Sequence, residues 1–186
     1  MSERMTYLLV DGENIDATLG TSILGRRPSP EDRPRWERLL DWTQRCWSQP
    51  VQGLFFLAAK TGDLPMSFVQ ALMAQGYRPV PLSGGPNQKV VDMAIQRTME
   101  ALAERDADVM LVSHDGDFLP QLEDLADGER RVGVLAFTEF RNQGISALAA
   151  RGVQLYDLEY DVRAFNTRLP RIRVIPIDEF DPLEFL

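Results

Sequence analysis

The stretch Leu111-Val-Ser-His-Asp-Gly-Asp-Phe118 decides how the rest of the sequence is interpreted. An apolar run at residues 109–112 ends abruptly in Ser113 and His114, and two carboxylates, Asp115 and Asp117, follow. Two carboxylates one residue apart at the end of a buried strand are costly to leave unpaired. Their like charges repel each other unless a cation lies between them. The stretch therefore predicts a buried strand that ends in a cation-binding turn.

The composition is that of an ordinary globular protein, with 186 residues of which 44% are hydrophobic and 26% charged. This length predicts one domain with its own core, residues 1–162, followed by a tail, residues 163–186. No apolar run approaches the roughly 20 residues of a membrane helix, and the N-terminus lacks the apolar core of a signal peptide. A cytoplasmic protein without a membrane contact is expected. The single cysteine, Cys46, permits no internal disulfide and no common zinc site.

The net charge of −8 argues against a polyanionic partner until it is divided along the chain. Four acids lie at the end of the tail, and four more are the metal ligands predicted below, so the remaining surface is about neutral. The charge therefore neither favours nor excludes nucleic acid.

Strands and helices alternate along the chain. Apolar runs predict strands at residues 6–10, 51–59, 78–82, 109–112, 131–136 and 153–156, and helical periodicity predicts helices at 36–47, 65–75, 89–105, 118–126 and 144–151. The alternation predicts a parallel sheet with helices on both faces. Residues 17–35 contain glycines, prolines and arginines without periodicity, and we expect a long functional loop there.

In such sheets ligands bind at the carboxyl ends of the strands, near the point where the strand order reverses. With the strand order 3-2-1-4-5, the first and fourth strands are neighbours, so Asp11 and Asp115 open into the same crevice. Asp92 reaches this crevice from the first turns of its helix, on the face that also carries Lys89 and Gln96. The predicted ligands of a divalent metal are Asp11, Asp92, Asp115 and Asp117.

Three motifs, in this order, resemble those of the NYN domain family of the PIN-like nuclease superfamily. They are Asp11-x-x-Asn14, Lys89-x-x-Asp92 and Ser113-x-Asp115-x-Asp117-Phe118. The resemblance covers about residues 5–157. It implies a PIN-like three-layer α/β/α sandwich with a mostly parallel sheet, Mg²⁺- or Mn²⁺-dependent ribonuclease activity and a four-aspartate metal site. It also implies that Asn14 and Ser113 support this site or contact the scissile phosphate, and Lys89 is a further candidate for substrate binding.

The chemistry of the residues agrees with this resemblance. Mg²⁺ prefers oxygen ligands and keeps several waters, so a few carboxylates suffice, and phosphodiester hydrolysis needs little beyond the metal except in-line positioning. The expected substrate is single-stranded or loop RNA, cleaved to a 5′-phosphate and a 3′-hydroxyl. Two alternatives remain: a catalytically silent regulatory or scaffold module with the same fold, and a phosphatase whose narrow pocket is closed by residues 17–35.

Each acidic residue also has a purely structural interpretation. Asp115 or Asp117 could cap the helix that follows, and Asp11 could be a turn residue. Asp92 could form an ion pair with Lys89 three residues earlier.

Other polar residues near the predicted crevice have two interpretations each. Arg26 and Arg27 either contact the RNA backbone beside the metal site or belong to a solvated loop. Residues 60–62 and 83–85 follow the second and third strands and either contact phosphate through backbone donors or are ordinary connections. His114 is a general base or, more commonly for such a histidine, a local hydrogen-bonding residue.

The tail ends in the acidic and apolar sequence Asp-Glu-Phe-Asp-Pro-Leu-Glu-Phe-Leu. This sequence is more apolar than is usual for a chain end that only contacts solvent, because it contains Phe180, Leu183, Phe185 and Leu186. We expect the tail to dock on its own domain or on the second subunit of a homodimer. The alternative is a peptide that another protein recognises.

Overall fold

The central layer is one parallel sheet. The computed structural model describes residues 4–59 and 64–186, so residues 60–62, considered either as a phosphate contact or as an ordinary connection, lie outside the described residues. The strands are β1 (Met5–Asp11), β2 (Val51–Ala58), β3 (Tyr77–Leu82), β4 (Ala107–Val112), β5 (Val132–Ala136) and β6 (Gln154–Asp157). Their order is β3-β2-β1-β4-β5-β6, and every neighbouring pair is parallel. The predicted α/β class and strand order are confirmed.

Helices cover both faces of this sheet. They are α1 (Gly12–Ala17), α2 (Trp36–Trp47), α3 (Met66–Gln75), α4 (Val90–Ala103), α5 (Leu119–Leu125) and α6 (Gln143–Ala147). Successive side chains of a strand point to opposite faces, so Leu8 and Val10 of β1 join the core beneath α1 and α2, whereas Leu9 joins the core beneath α4 and α5. Two apolar cores on either side of one sheet make the three-layer sandwich that the motifs implied.

The prediction of a long loop at residues 17–35 is wrong. Helix α1 continues directly into a π-helical stretch, Thr18–Leu24. Ile15 and Leu19 are fully buried, and Ile23 packs against the same core. These three residues are four positions apart, which is the spacing of one helical face. The apolar periodicity was present in the sequence but was obscured by the neighbouring glycines.

Close packing explains why a glycine lies inside this helical stretch. A Cβ atom at Gly20 would lie 2.9 Å from Cδ of Pro28, so the returning chain leaves no room for a side chain there. Gly25 ends the stretch in the left-handed region, at a φ of 69°, where glycine carries little steric cost. The prolines that suggested a loop lie after that end, around a short 3₁₀ turn, Pro30–Asp32.

The first part of the predicted tail packs on the domain. Leu169 is buried, and the side chain of Arg171 is fully buried. Beyond it the chain has little regular structure, and Ile172 and Leu186 are 94% and 97% exposed. None of the helices in the described ranges is long and apolar enough to cross a lipid bilayer.

Arg171 anchors this C-terminal segment through three carboxylates. Its guanidinium contacts Glu139 at 2.7 Å, Asp157 at 2.6 Å and Glu159 at 3.2 Å, and it lies 5.0 Å from the ring centroid of Phe137. Burial acts to raise the pKa of Asp157, but the hydrogen bonds from Arg171 outweigh it and hold that pKa well below the usual range. The negative charges of Glu139, Asp157 and Glu159 are thus balanced in part by the guanidinium of Arg171.

Candidate active site

The candidate site lies where β1 and β4 end side by side. The two strands are neighbours, with Val10 opposite Val112, so the residues that follow them emerge at the same sheet edge. A cleft of about 560 Å³ at this edge is lined by Asp11, Asp92 and Asp115. Asp92 comes from the first turn of α4, which lies over the strand ends. The crevice predicted from the strand order is therefore present, with acids from three separate elements along it.

Three of the four predicted acids form a tight cluster. One carboxylate oxygen each from Asp92, Asp115 and Asp117 lies within 4.8 Å of the other two. Asp11 is outside this trio and lines the same cleft beside it. Lys89 provides a counter-charge at the exposed rim, where its Nζ lies 3.5 Å from Asp117. Within the described ranges, this exposed ammonium is the cation at ion-pair distance from the trio.

Asp11 is the most deeply buried of these acids, with 2% of its surface exposed. Burial raises the pKa of Asp11 to about 7, the hydroxyl of Ser113 opposes this rise, and the charges of Asp92 and Asp115 add to it. Ser113 Oγ donates to Asp11 Oδ2 at 2.9 Å and accepts from the backbone N–H of Asp115 at 3.1 Å. Because Ser113 is itself fully buried, its geometry favours support of Asp11 over contact with a phosphate.

Asp92 has the second perturbed carboxyl group. Burial is the main reason that the pKa of Asp92 rises to about 6, and the charge of Asp115 adds to the rise, whereas Lys89 opposes it. The ion pair considered from the sequence would join Lys89 to Asp92, but the ammonium pairs with Asp117 instead. Asp92 thus remains directed at the other carboxylates.

Capping and cluster formation coexist in the turn after β4. Asp115 Oδ1 accepts from the backbone N–H of Asp117 at 2.9 Å and caps the short 3₁₀ turn Gly116–Phe118. This cap uses one of the two carboxylate oxygens of Asp115. Gln96 of α4 donates to the carbonyl oxygen of Asp117 at 3.0 Å, which ties the turn to the helix that carries Asp92.

His114 makes local hydrogen bonds, as expected for its commoner role. Its backbone N–H and its ring Nδ1 lie 2.8 and 2.9 Å from Oδ1 of Asn14, and its Nε2 accepts from the backbone N–H of Phe137 at 2.8 Å. Burial, together with the positive charges of Arg141 and Arg171, lowers the pKa of His114 to about 4. Both ring nitrogens are occupied by protein groups, so the ring is not placed to act as a general base.

The opposite wall of the cleft comes from the connection between β3 and α4. Its lining residues include Gly84, Gly85 and Gln88. The backbone N–H of Gly85, one of the proposed phosphate donors, donates instead to Oε1 of Gln88 at 2.6 Å. Glu13 also lines the cleft. Gln88 carries no motif or periodicity, so nothing in the sequence could have identified it.

The two arginines predicted to contact RNA lie apart from the acids. Arg26 forms an ion pair with Asp32 at 2.6 Å, and Arg26 and Arg27 line a second depression of about 390 Å³ together with Asp16. The cleft with the acids has no lining residue from the segment 17–35 among the described residues. The structure therefore does not bring these arginines together with the cluster.

The donor set fits a hard divalent cation. Every clustered atom is a carboxylate oxygen, with no cysteine or histidine among the clustered residues, and Mg²⁺ and Mn²⁺ prefer such ligands. Burial is the main cause of the raised pKa values of Asp11 and Asp92, and the charges of neighbouring carboxylates add to it at both groups. A bound cation would relieve this repulsion.

Comparison with known proteins agrees with the fold and the motifs. The family model described as the NYN domain matches residues 5–155. A crystal structure of a protein of unknown function from Vibrio parahaemolyticus superimposes with a TM-score of 0.63, at 15% sequence identity over 86% of this chain and 95% of that one. At this identity the likeness shows the fold alone. The comparison with curated proteins gives no match.

Proposed function

Because the chain belongs to the NYN domain family, we propose that it is an endoribonuclease that hydrolyses RNA phosphodiester bonds with Mg²⁺ or Mn²⁺. Family membership supports a nuclease-like hydrolase, and the metal and the substrate are the finer parts of the proposal. One observation carries them: Asp92, Asp115 and Asp117 bring their oxygens within 4.8 Å of one another beside the buried Asp11. A chain gains nothing in stability from such a group unless a cation joins it.

The proposed ligands are Asp11, Asp92, Asp115 and Asp117. Bound among them, Mg²⁺ or Mn²⁺ would lower the pKa of a water molecule and offset negative charge on the phosphate. The pKa values of Asp11 and Asp92 are raised to about 7 and about 6, so a cation that binds there below these pH values would displace protons from the cleft. Ser113 holds the Asp11 carboxylate in place, and the turn capped by Asp115 holds the other acids.

Binding of RNA is assigned to groups at the rim. Lys89 lines the cleft with a side chain that is 74% exposed, so its ammonium can meet a phosphate as well as Asp117. Asn14 lines the same cleft. Arg27, and Arg26 in its ion pair with Asp32, line the second depression, which would hold the backbone of a longer RNA.

Two alternative functions lead to different expectations. The phosphatase required a pocket closed by residues 17–35, and the helical path of Thr18–Leu24 removes that support. A catalytically silent scaffold is favoured by the exposed apolar tail, in which Ile172, Val174 and Leu183 are 94%, 95% and 76% exposed. Such side chains would suit a protein partner or a second copy of the chain. A protein that binds no Mn²⁺ at micromolar concentration would favour the scaffold.

The decisive experiment is a cleavage panel of structured and unstructured RNAs with Mn²⁺, comparing the wild type with Asp115→Asn. Asparagine keeps the oxygen that caps the turn, so the fold is retained while a ligand charge is lost. Cleavage should fall by more than about 100-fold, because even outer-shell changes at metal sites cost 10–100-fold. Asp124→Asn, an exposed acid on α5, is the matched control. Equal cleavage by the Asp115 variant and the wild type would refute the proposed site.

A further inference from the structure

The carboxamide of Asn14 has a fixed orientation. Its Oδ1 accepts the backbone N–H of His114 at 2.8 Å, and a backbone N–H can only donate, so this atom is the oxygen and the NH₂ group lies on the other side. In the described part of the chain that NH₂ donates no hydrogen bond to the protein, although Asn14 lines the cleft. A hydrogen-bond donor is thus left available beside the acids.

The ring of His114 reinforces this orientation. Its Nε2 accepts from the backbone N–H of Phe137 at 2.8 Å, so that nitrogen carries no proton. The neutral ring therefore carries its proton on Nδ1, which lies 2.9 Å from Asn14 Oδ1 and 3.3 Å from Thr18 Oγ1. Two donors of one residue, the backbone N–H and Nδ1–H, converge on the same amide oxygen.

Packing prevents the ring from turning. His114 is 6% exposed and stacks on Phe137, with centroids 5.6 Å apart and an interplanar angle of 13°. Phe137 is held in turn by Phe165, at 5.7 Å, and by the guanidinium of Arg171. The segment that follows the last strand therefore supports the ring from behind.

We propose that His114 is a positioning residue that holds Asn14 so that its amide NH₂, and not its oxygen, faces a phosphate oxygen of RNA in the cleft. The inference rests on the proposed function, because it needs a phosphate in that cleft. Without the ring donor, only the backbone N–H of His114 holds the amide oxygen, so the carboxamide is held less firmly and its NH₂ group faces the phosphate for less of the time. One lost charge-assisted hydrogen bond corresponds to a loss of about tenfold in affinity.

The first test measures binding without cleavage. Affinity for a fluorescein-labelled oligouridine is measured by anisotropy in Mg²⁺, in the Asp115→Asn background. His114→Leu and Asn14→Leu should each weaken binding about tenfold, and the double variant should be no weaker than either alone. His114→Asn, whose side-chain amide can replace Nδ1–H, should restore most of the affinity. Phe165→Leu loosens the same stack without removing a hydrogen bond and should weaken binding less than His114→Leu does.

The second test uses the unmodified protein and needs no variant to fold. The chain has a single histidine, so its ring ¹⁵N signals are unambiguous, and they should show the proton on Nδ1. A proton on Nε2, or additive effects of the two leucine variants in a protein that cleaves RNA, would overturn the positioning role alone. Absence of both RNA binding and cleavage by the wild type would overturn the proposed function and this inference with it.

Discussion

Neutralising Asp11 should stabilise the metal-free protein. In the folded chain burial raises the pKa of Asp11 from an ordinary value of 3.8 to about 7. When the pKa of a carboxyl group is higher in the folded than in the unfolded chain, its contribution to stability is fully present below the unfolded-state pKa. That contribution is lost as the pH rises through the folded-state pKa. At pH 8 a shift of this size, at 1.36 kcal/mol per unit, corresponds to about 4 kcal/mol, or about 2–4 kcal/mol with local relaxation.

Asp11→Asn removes this cost and keeps an oxygen for the hydroxyl of Ser113. In EDTA at pH 8 the variant should melt about 5–15 °C above the wild type, given about 2–4 °C per kcal/mol for a chain of this size. At pH 5 the advantage should fall to about 1–2 kcal/mol, because the folded wild type is then protonated at Asp11 and only the unfolded chain carries the charge. Thermal melts of both proteins at both pH values measure the difference.

Addition of Mn²⁺ connects this stability effect to the metal. A cation that binds only the folded state raises the stability of the wild type by about 2.7 kcal/mol at 100 times its dissociation constant. The advantage of the variant should therefore shrink or reverse, whereas Asp124→Asn should follow the wild type throughout. If Asp11→Asn is no more stable than the wild type in EDTA at pH 8, the buried charge is not unfavourable. If its advantage persists unchanged in Mn²⁺, the carboxylate does not face the ion.

Three further predictions concern groups outside the acid cluster. Arg171→Met leaves three carboxylates without their cation and should lower the free energy of unfolding, measured in urea, by about 3–5 kcal/mol. Replacement of the more exposed Arg173 by Met should lower it by less than about 1 kcal/mol, and similar losses for the two variants would contradict the anchoring role. Replacing Arg26 and Arg27 with alanine should lower the salt slope of RNA binding by about one to two, and an unchanged slope would exclude them as phosphate contacts. Deleting residues 172–186 should shift the melting temperature by less than about 2 °C, because their apolar side chains are exposed; a loss of about 5 °C or more would indicate docking of this segment.

The arrangement of the acids was predictable from the sequence because it depends on topology. Once the alternating pattern indicated a parallel sheet, the carboxyl ends of the first and fourth strands had to share an edge. Asp11 and Asp115 each end such a strand, so their proximity did not require any side-chain detail. Asp92 followed from helical periodicity, which places it with Lys89 and Gln96 on the side of α4 that meets the turn.

The connections between distant backbone segments were not predictable in this way. His114 owes its orientation to the backbone N–H of Phe137, 23 residues away, and a backbone donor has no signature in a sequence. The burial of Arg171 depends on carboxylates that lie 12 to 32 residues earlier. The helical stretch Thr18–Leu24 was not predicted for a different reason. Its Gly20 is required by close packing against Pro28, and local helix propensity does not reflect such a tertiary contact.

Two groups of carboxylates in the same chain show how the fold treats negative charge. Glu139, Asp157 and Glu159 surround the guanidinium of Arg171, and the pKa of Asp157 is held low by that neighbour despite burial. The acids after β1 and β4 also line one cleft, yet among the described residues the ion pair that reaches them comes from the exposed Lys89, and burial, with the charges of Asp92 and Asp115, raises the pKa of Asp11 to about 7. In the first group, which anchors the C-terminal segment, the chain supplies the cation itself through Arg171. Since the described residues offer the second group only an exposed lysine, and since this group opens into a cleft, a cation from solution would stabilise it, as the proposed metal site requires.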